Sequence, residues 1–194
     1  EAILPPICPE LPMPVTTTGS STLRPSTTSR KVSSPSATPL TRPPGVSATR
    51  VAAGSYHALL LSSSGDVYAW GRNGSGQLGL GDQVSRTAPT KVTLPRAAVA
   101  IAAGRDFSIA VLEDGSVCAW GLNTVGQLGD GTRFSSLTPV EVSGISGVTA
   151  AAAGNDHVIV LRNDGTVWGW GGNAAGQLGT GGFAAARTPV QSGA

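Results

Sequence analysis

"GRNGSGQLGLG", residues 71–81, decides how this chain is read. Within it Gly74, Gly76 and Gly79 spell G-x-G-x-x-G. That is the spacing of a dinucleotide-binding turn, whose glycines let the backbone approach a pyrophosphate. The chain carries its own test, because the stretch recurs as "GLNTVGQLGDG" at 121–131 and "GGNAAGQLGTG" at 171–181. Gly74 gives way there to Thr124 and Ala174, so the nucleotide spacing is broken in two of three copies. A nucleotide turn also opens a helix between parallel strands. Here a tryptophan-bearing strand pattern precedes the stretch and a polar, proline-bearing segment follows it. The recurring Gly76, Gly79 and Gly81 are better explained by positive φ and close backbone approach, and no cofactor is expected.

The recurrence is a strict period. Trp70, Trp120 and Trp170 are 50 residues apart, as are Gly54, Gly104 and Gly154, and Pro89, Pro139 and Pro189. Laying residues 51–94 over the next two copies needs no gap and leaves 14 positions identical in all three. Each copy reads as β-structure. "HALLLS", "FSIAVLE" and "HVIVLR" are short apolar runs of strand formers. "SSGD", "EDGS" and "NDGT" follow as hairpin turns, the last two with an Asp-Gly pair. "VYAWG", "VCAWG" and "VWGWG" run back as partner strands. "APTKV" and "TPVEV" suggest an outer strand with proline at its start, where no ladder donor is lost. "VTAAAAG" and its equivalents supply a strand of small residues, suited to the crowded axis of a ring. Four strands per 50 residues point to the blades of a β-propeller; a β-solenoid is the runner-up.

Composition divides the chain unequally. Ten of the 14 prolines lie in residues 1–50, and all nine aromatic residues lie after them. A Ser/Thr/Pro segment without aromatics buries too little apolar surface to offset its ordering entropy, so residues 1–45 read as a disordered linker or tail. Residues 46–194 hold the repeats, about 46–95, 96–145 and 146–194. Arg24, Arg30, Lys31, Arg42 and Arg50 against Glu1 and Glu10 place a net +3 in the first 50 residues, leaving the remainder near neutral. A neutral repeat region is a poor footprint for nucleic acid, which is not expected as a partner. No apolar run is long enough to span a membrane as a helix. Cys8 and Cys118 have no metal or disulfide spacing. The Ser/Thr/Pro stretch suits a secreted or cell-surface protein, and an Arg/Ser-rich, acid-poor stretch also suits an organelle transit segment.

"AAGSYHALLLSSSGDVYAWGRNGSGQLGLGD" resembles a repeat of the family named after the regulator of chromosome condensation, and the signature occurs three times over roughly residues 46–194. The A-A-G, W-G-x-N and G-Q-L-G elements fall in order in all three copies, with D-G-x-V between the first two of them in the second and third. The resemblance implies an all-β propeller, usually of seven blades in this family. Three repeats do not close such a ring, and an open arc exposes blade faces and strand edges. A fragment of a longer propeller, completion by copies of itself or by a partner, and a decayed product are the alternatives. Self-association through open blade edges belongs to the second.

The candidate sites divide into framework and variable positions. Gly54, Trp70, Asn73, Gln77, Leu78 and their equivalents Gly104, Trp120, Asn123, Gln127, Leu128, Gly154, Trp170, Asn173, Gln177 and Leu178 form the structural signature. Leu78 is expected to plug a blade interface, and Asn73 or Gln77 to bond loop backbone. His57 and His157 recur with Phe107 between them, which suits a packed strand end rather than a metal ligand. Asp66, Asp114 and Asp164 are turn residues, not a facing carboxylate pair, and no Ser triad is present. Trp70, Trp120 and Trp170 read as structural core rather than a light-sensing or ligand-stacking cluster, since Trp168, whose equivalents are Tyr68 and Cys118, is the one extra tryptophan. The variable loop positions Tyr56, Arg72, Arg105, Asp106, Phe134, Asn155 and Phe183 are the candidate partner-binding residues, since loops carry specificity on a rigid scaffold. The leading expectation is a non-enzymatic protein-interaction module. The alternatives are guanine-nucleotide exchange on a small GTPase and inhibition of a secreted enzyme, both implied by the resemblance. The gapless period leaves no insertion for the projecting wedge that exchange uses.

Overall fold

The computed structural model describes residues 45–193, which form twelve strands and no helix. Apart from Gly45, the Ser/Thr/Pro stretch lies outside the described residues. The first blade is β1 (Ala48–Ala53), β2 (His57–Ser62), β3 (Val67–Gly71) and β4 (Arg86–Lys91). The second is β5 (Ala98–Ala103), β6 (Phe107–Leu112), β7 (Val117–Gly121) and β8 (Ser136–Glu141). The third is β9 (Val148–Ala153), β10 (His157–Arg162), β11 (Val167–Gly171) and β12 (Ala186–Gln191). Each blade is an antiparallel sheet in sequence order, and no strand is borrowed from another repeat.

Register repeats with the sequence. Leu61 opposes Val67, Val111 opposes Val117, and Leu161 opposes Val167 across the same hairpin. The Asp-Gly pairs do sit in these turns. Gly115 and Gly165 have φ of 79° and 82°, while among the described residues no non-glycine residue has positive φ. The turn therefore places only its glycine in the left-handed region, unlike the two-residue turn with positive φ at both centres.

The prolines depart from expectation. Pro89, Pro139 and Pro189 stand fourth in the six-residue outer strands, not at their starts. Each lies on an edge strand next to a register shift, as between Ala69 and Gly71 opposite β4, so its missing N–H breaks no ladder.

The small-residue strands β1, β5 and β9 lie side by side on the inner side of the arc, where Ala and Gly allow close approach. Blades then stack face to face across two seams. In the first, Leu59, Leu61, Val67 and Leu78 close on Ala110, Leu112, Cys118 and Trp120. In the second, Ile109, Val111, Val117 and Leu128 close on Val148, Val160 and Trp170. Trp120 and Trp170 are wholly buried, each removing an aromatic surface on the order of 200 Å² from water.

Candidate functional site

Strand direction alternates within each blade, so the short turns after β1, β5 and β9 emerge on the same face as the long loops after β3, β7 and β11. Tyr56, Arg72, Arg105, Asp106, Phe134, Asn155 and Phe183 all fall in these turns and loops. A buried asparagine pins each long loop. The Asn73 amide donates to the carbonyls of Asp82 and Val84 at 2.9 and 3.2 Å, and its Oδ1 accepts the Leu78 amide at 2.9 Å. Asn123 and Asn173 repeat this pattern with Phe134 and Leu128, and with Ala184 and Leu178. One buried side chain thus ties together a loop that has no ladder of its own.

On that frame the variable side chains reach outward. Phe134 is 81% exposed, Phe183 74% and Tyr56 65%. The Arg72 guanidinium lies 5.7 Å from the Tyr56 ring centroid, a cation–π pair at the surface. Arg105 and Asn155 are exposed at the inner rim, where the Arg105 amide donates to the Asn155 carbonyl at 3.2 Å. There the ends of the three inner strands, Ala53–Ser55, Ala103–Arg105 and Ala153–Asn155, line an opening of about 250 Å³. Val84, at the place of Phe134, adds a further exposed apolar tip. Aligning the copies would have singled it out within the variable run 82–86.

Asp106 is set apart from this group. It is buried, and its Oδ1 accepts the Gln77 Nε2–H at 3.0 Å across the first seam. Next to it runs a chain of polar contacts that sequence reasoning did not find. His57 Nε2 meets Ser108 Oγ at 2.9 Å, Ser108 donates to the Gln77 carbonyl at 2.8 Å, and Trp120 Nε1 donates to the same carbonyl at 3.0 Å. Because the Ser108 proton goes to Gln77, His57 donates from Nε2 and its Nδ1 bears no proton. Burial pushes the His57 pKa down to about 4, against the opposing pull of Asp106 and the Phe107 backbone. The signal missed was the serine at 108, one residue after the His/Phe position.

The turn acids sit on the opposite face. Asp66, Asp114 and Asp164 pair with Lys91, Arg96 and Arg162 at 2.6–2.7 Å. Asp114 and Asp164 are held below the usual carboxylate range chiefly by the hydroxyls of Ser116 and Thr166, and Asp66 by Lys91. Each acid closes its own hairpin. Among the described residues no three His, Cys, Asp or Glu side chains come together as a metal-binding group, and no helix is long and apolar enough to cross a membrane.

Three four-stranded blades, each carrying the tryptophan, asparagine and G-Q-L-G positions in equivalent places, match a known repeat. The profile described as "Regulator of chromosome condensation (RCC1) repeat" fits residues 64–111, 114–161 and 164–193. A second profile of the same description fits 48–77, 98–127 and 148–177. The chain belongs to the RCC1 repeat family. The first RCC1 frame joins the outer half of one blade to the inner half of the next, so it straddles each seam. Human "Probable E3 ubiquitin-protein ligase HERC3" is 48% identical over 52 residues, 27% of this chain and 5% of that protein. Arabidopsis thaliana "Ultraviolet-B receptor UVR8" is 42% identical over 48 residues, 25% of this chain and 11% of that protein. The RCC1 repeats here thus span a small part of these relatives' length. Among solved structures, human WBSCR16 superposes with a TM-score of 0.71 at 29% identity, over 78% of this chain and 39% of that one. Prp20p from Saccharomyces cerevisiae, described with its binding to Gsp1p and histones, superposes with a TM-score of 0.67 at 23% identity, over 74% of this chain and 38% of that one.

Proposed function

We propose that this chain is a non-enzymatic protein-interaction module whose partner docks on the loop face. The observation that carries the reading is the convergence of exposed Tyr56, Phe134 and Phe183 with Arg72 and Arg105 on one face of a rigid arc. Aromatic residues and arginine are the side chains most often found at the energetic centres of protein interfaces. Their chemistry suits a partner that offers apolar side chains beside carboxylates. The family setting is consistent with a scaffold reused by proteins of unlike activity, with function residing in the loops.

The test is capture by the full chain and by a Phe134→Ser, Phe183→Ser double variant. A partner held through this face loses at least about tenfold in affinity with the double variant. Lys91→Glu on the opposite face leaves capture unchanged. The reverse pattern would place the binding surface on the hairpin-turn face. Accelerated nucleotide release from a small GTPase would replace the interaction-only reading with exchange activity.

A further inference from the structure

On the hairpin-turn side the two internal seams differ by one ring. In the second seam Trp168 of β11 packs against the buried cluster between the second and third blades. Its Nε1 donates to Thr166 Oγ1 at 3.0 Å, and Thr166 donates in turn to Asp164 at 2.6 Å. The Arg162 guanidinium lies 5.8 Å from the Trp168 ring centroid and pairs with Asp164 at 2.7 Å. Hydroxyl, carboxylate and guanidinium thus hold one indole.

The first seam has Cys118 at the place of Trp168. Around it the same polar partners recur. Ser116 stands at the place of Thr166 and donates to Asp114 at 2.6 Å. Leu112 takes the place of Arg162, and the guanidinium comes instead from Arg96 in the connection between β4 and β5, 2.6 Å from Asp114. The ring alone has no counterpart. Beside Cys118 lies a cavity of about 300 Å³, a size at the small end of ligand pockets.

The cavity has an apolar floor and a polar rim. Cys118 and Leu112, 4% and 2% exposed, form the floor, and Arg96, Asp114, Ser116 and Glu141 line the rest. Burial, with Glu141 and Asp114 close by, pushes the Cys118 thiol up to about 11, so the floor is uncharged at neutral pH. A hydroxyl has one proton and two lone pairs, so Ser116 Oγ, its proton given to Asp114, still accepts a bond as Thr166 Oγ1 does. Arg96 offsets Asp114. Glu141, the cross-strand neighbour of Cys118, forms no ion pair among the described residues and leaves the cavity with a negative charge.

We propose that this cavity binds a small aromatic amine of the indole type, its ring against Cys118, its ring N–H donating to Ser116 Oγ and its ammonium facing Glu141. The ring is an indole because the equivalent place one blade later holds one, among the same three polar groups. The amine follows from the unanswered carboxylate. The cavity lies inside the arc, walled by the β4–β5 connection and the second blade, and away from the loop face. Its failure leaves the partner-binding reading untouched.

Calorimetric titration of the full chain with tryptamine tests it. The expected result is one site with Kd on the order of 0.1–1 mM. Indole-3-acetate, with a carboxylate in place of the amine, binds at least about tenfold more weakly, and Glu141→Gln narrows that gap. The benzothiophene analogue of tryptamine keeps the shape and removes the N–H, and binds roughly 5-fold to 10-fold more weakly. Ser116→Ala weakens tryptamine by a similar factor and leaves the benzothiophene analogue unchanged. Cys118→Trp supplies the ring from within and abolishes binding. Circular dichroism establishes that the variants fold; should Cys118→Trp unfold, the ligand series and Ser116→Ala decide. Absence of binding at several millimolar tryptamine overturns the proposal. So does a folded Cys118→Trp chain that binds like the parent, equal affinity for tryptamine and its benzothiophene analogue, or a Ser116→Ala chain that weakens both alike.

Discussion

The two internal seams share one backbone and use different chemistry. Between the first and second blades, His57, Ser108, Gln77, Asp106 and Trp120 form a buried polar chain. Between the second and third, Phe107 and Val158 stand where His57 and Ser108 do, and the Trp170 bond to the Gln127 carbonyl remains. Both keep the tryptophan, the carbonyl it reaches and the glycine it packs against, together with the backbone bonds from Gly81 and Gly131 and from Ala98 and Val148 to the neighbouring blade. At the His57 and Ser108 positions the second seam has hydrocarbon of similar volume instead of hydrogen bonds.

The largest expected effect breaks that shared element. Trp120→Ala and Trp170→Ala each remove a wholly buried ring and cost about 3–5 kcal/mol in urea unfolding. The two should differ. Without Trp120 the Gln77 carbonyl still accepts Ser108, whereas without Trp170 the Gln127 carbonyl loses its tryptophan donor and has no serine behind it. Trp170→Ala is expected to cost about 1–3 kcal/mol more on that account. Equal losses would mean that the polar chain of the first seam gives no such backup.

The next effect separates the seams by pH. His57 has a folded pKa of about 4 against an ordinary 6.5, so the unfolded chain binds the proton more readily. Its stabilising contribution is complete above pH 6.5 and is lost as pH falls toward 4, by about 3 kcal/mol at most. Converting the first seam to the second, with His57→Phe and Ser108→Val together, should remove this part of the acid sensitivity in thermal melts across pH 7 to 4. A double variant as acid-sensitive as the parent would assign the loss to other groups.

A smaller effect contrasts a filled glycine with an open one. Gly129→Ala places a Cβ 2.8 Å from the Trp170 indole, while Gly179→Ala meets nothing closer than 3.5 Å. Both pay the left-handed backbone cost of about 1–2 kcal/mol. Only Gly129→Ala adds a clash, so its melting temperature should fall further. Last come Phe134→Ser and Phe183→Ser, which touch neither seam. Their effect on denaturant midpoint should correspond to less than about 0.5 kcal/mol, which makes them clean probes of binding.

The difference between the seams also shows what the sequence carried. The 50-residue period, the hairpin of each copy and the Ala strand were legible because side-chain pattern follows strand geometry directly. The asparagine loop was legible because it is local, closing within eleven residues from Asn73 to Val84. The Trp120 bond was not, since its acceptor is a backbone carbonyl 43 residues earlier and leaves no residue-type signature. Asp106 reads as a free turn residue in isolation; only the fold brings Gln77 to it. Pro89 does not mark the start of its strand, which begins at Arg86, because an edge position, as well as a strand start, removes the penalty for its missing donor. The loop face itself was legible as variable positions, but their common side of the arc follows from strand alternation in three dimensions.

Because every blade is made wholly of consecutive residues, the fold should also behave as a set of mechanical fuses in series. Pulled from its two ends, the arc would give way one blade at a time rather than all at once. Each rupture would release about 50 residues of chain, roughly 170 Å of extended length. The steps would be equal in length but unequal in force, and the force needed at each seam would report, blade by blade, how differently two equivalent joints resist being peeled apart.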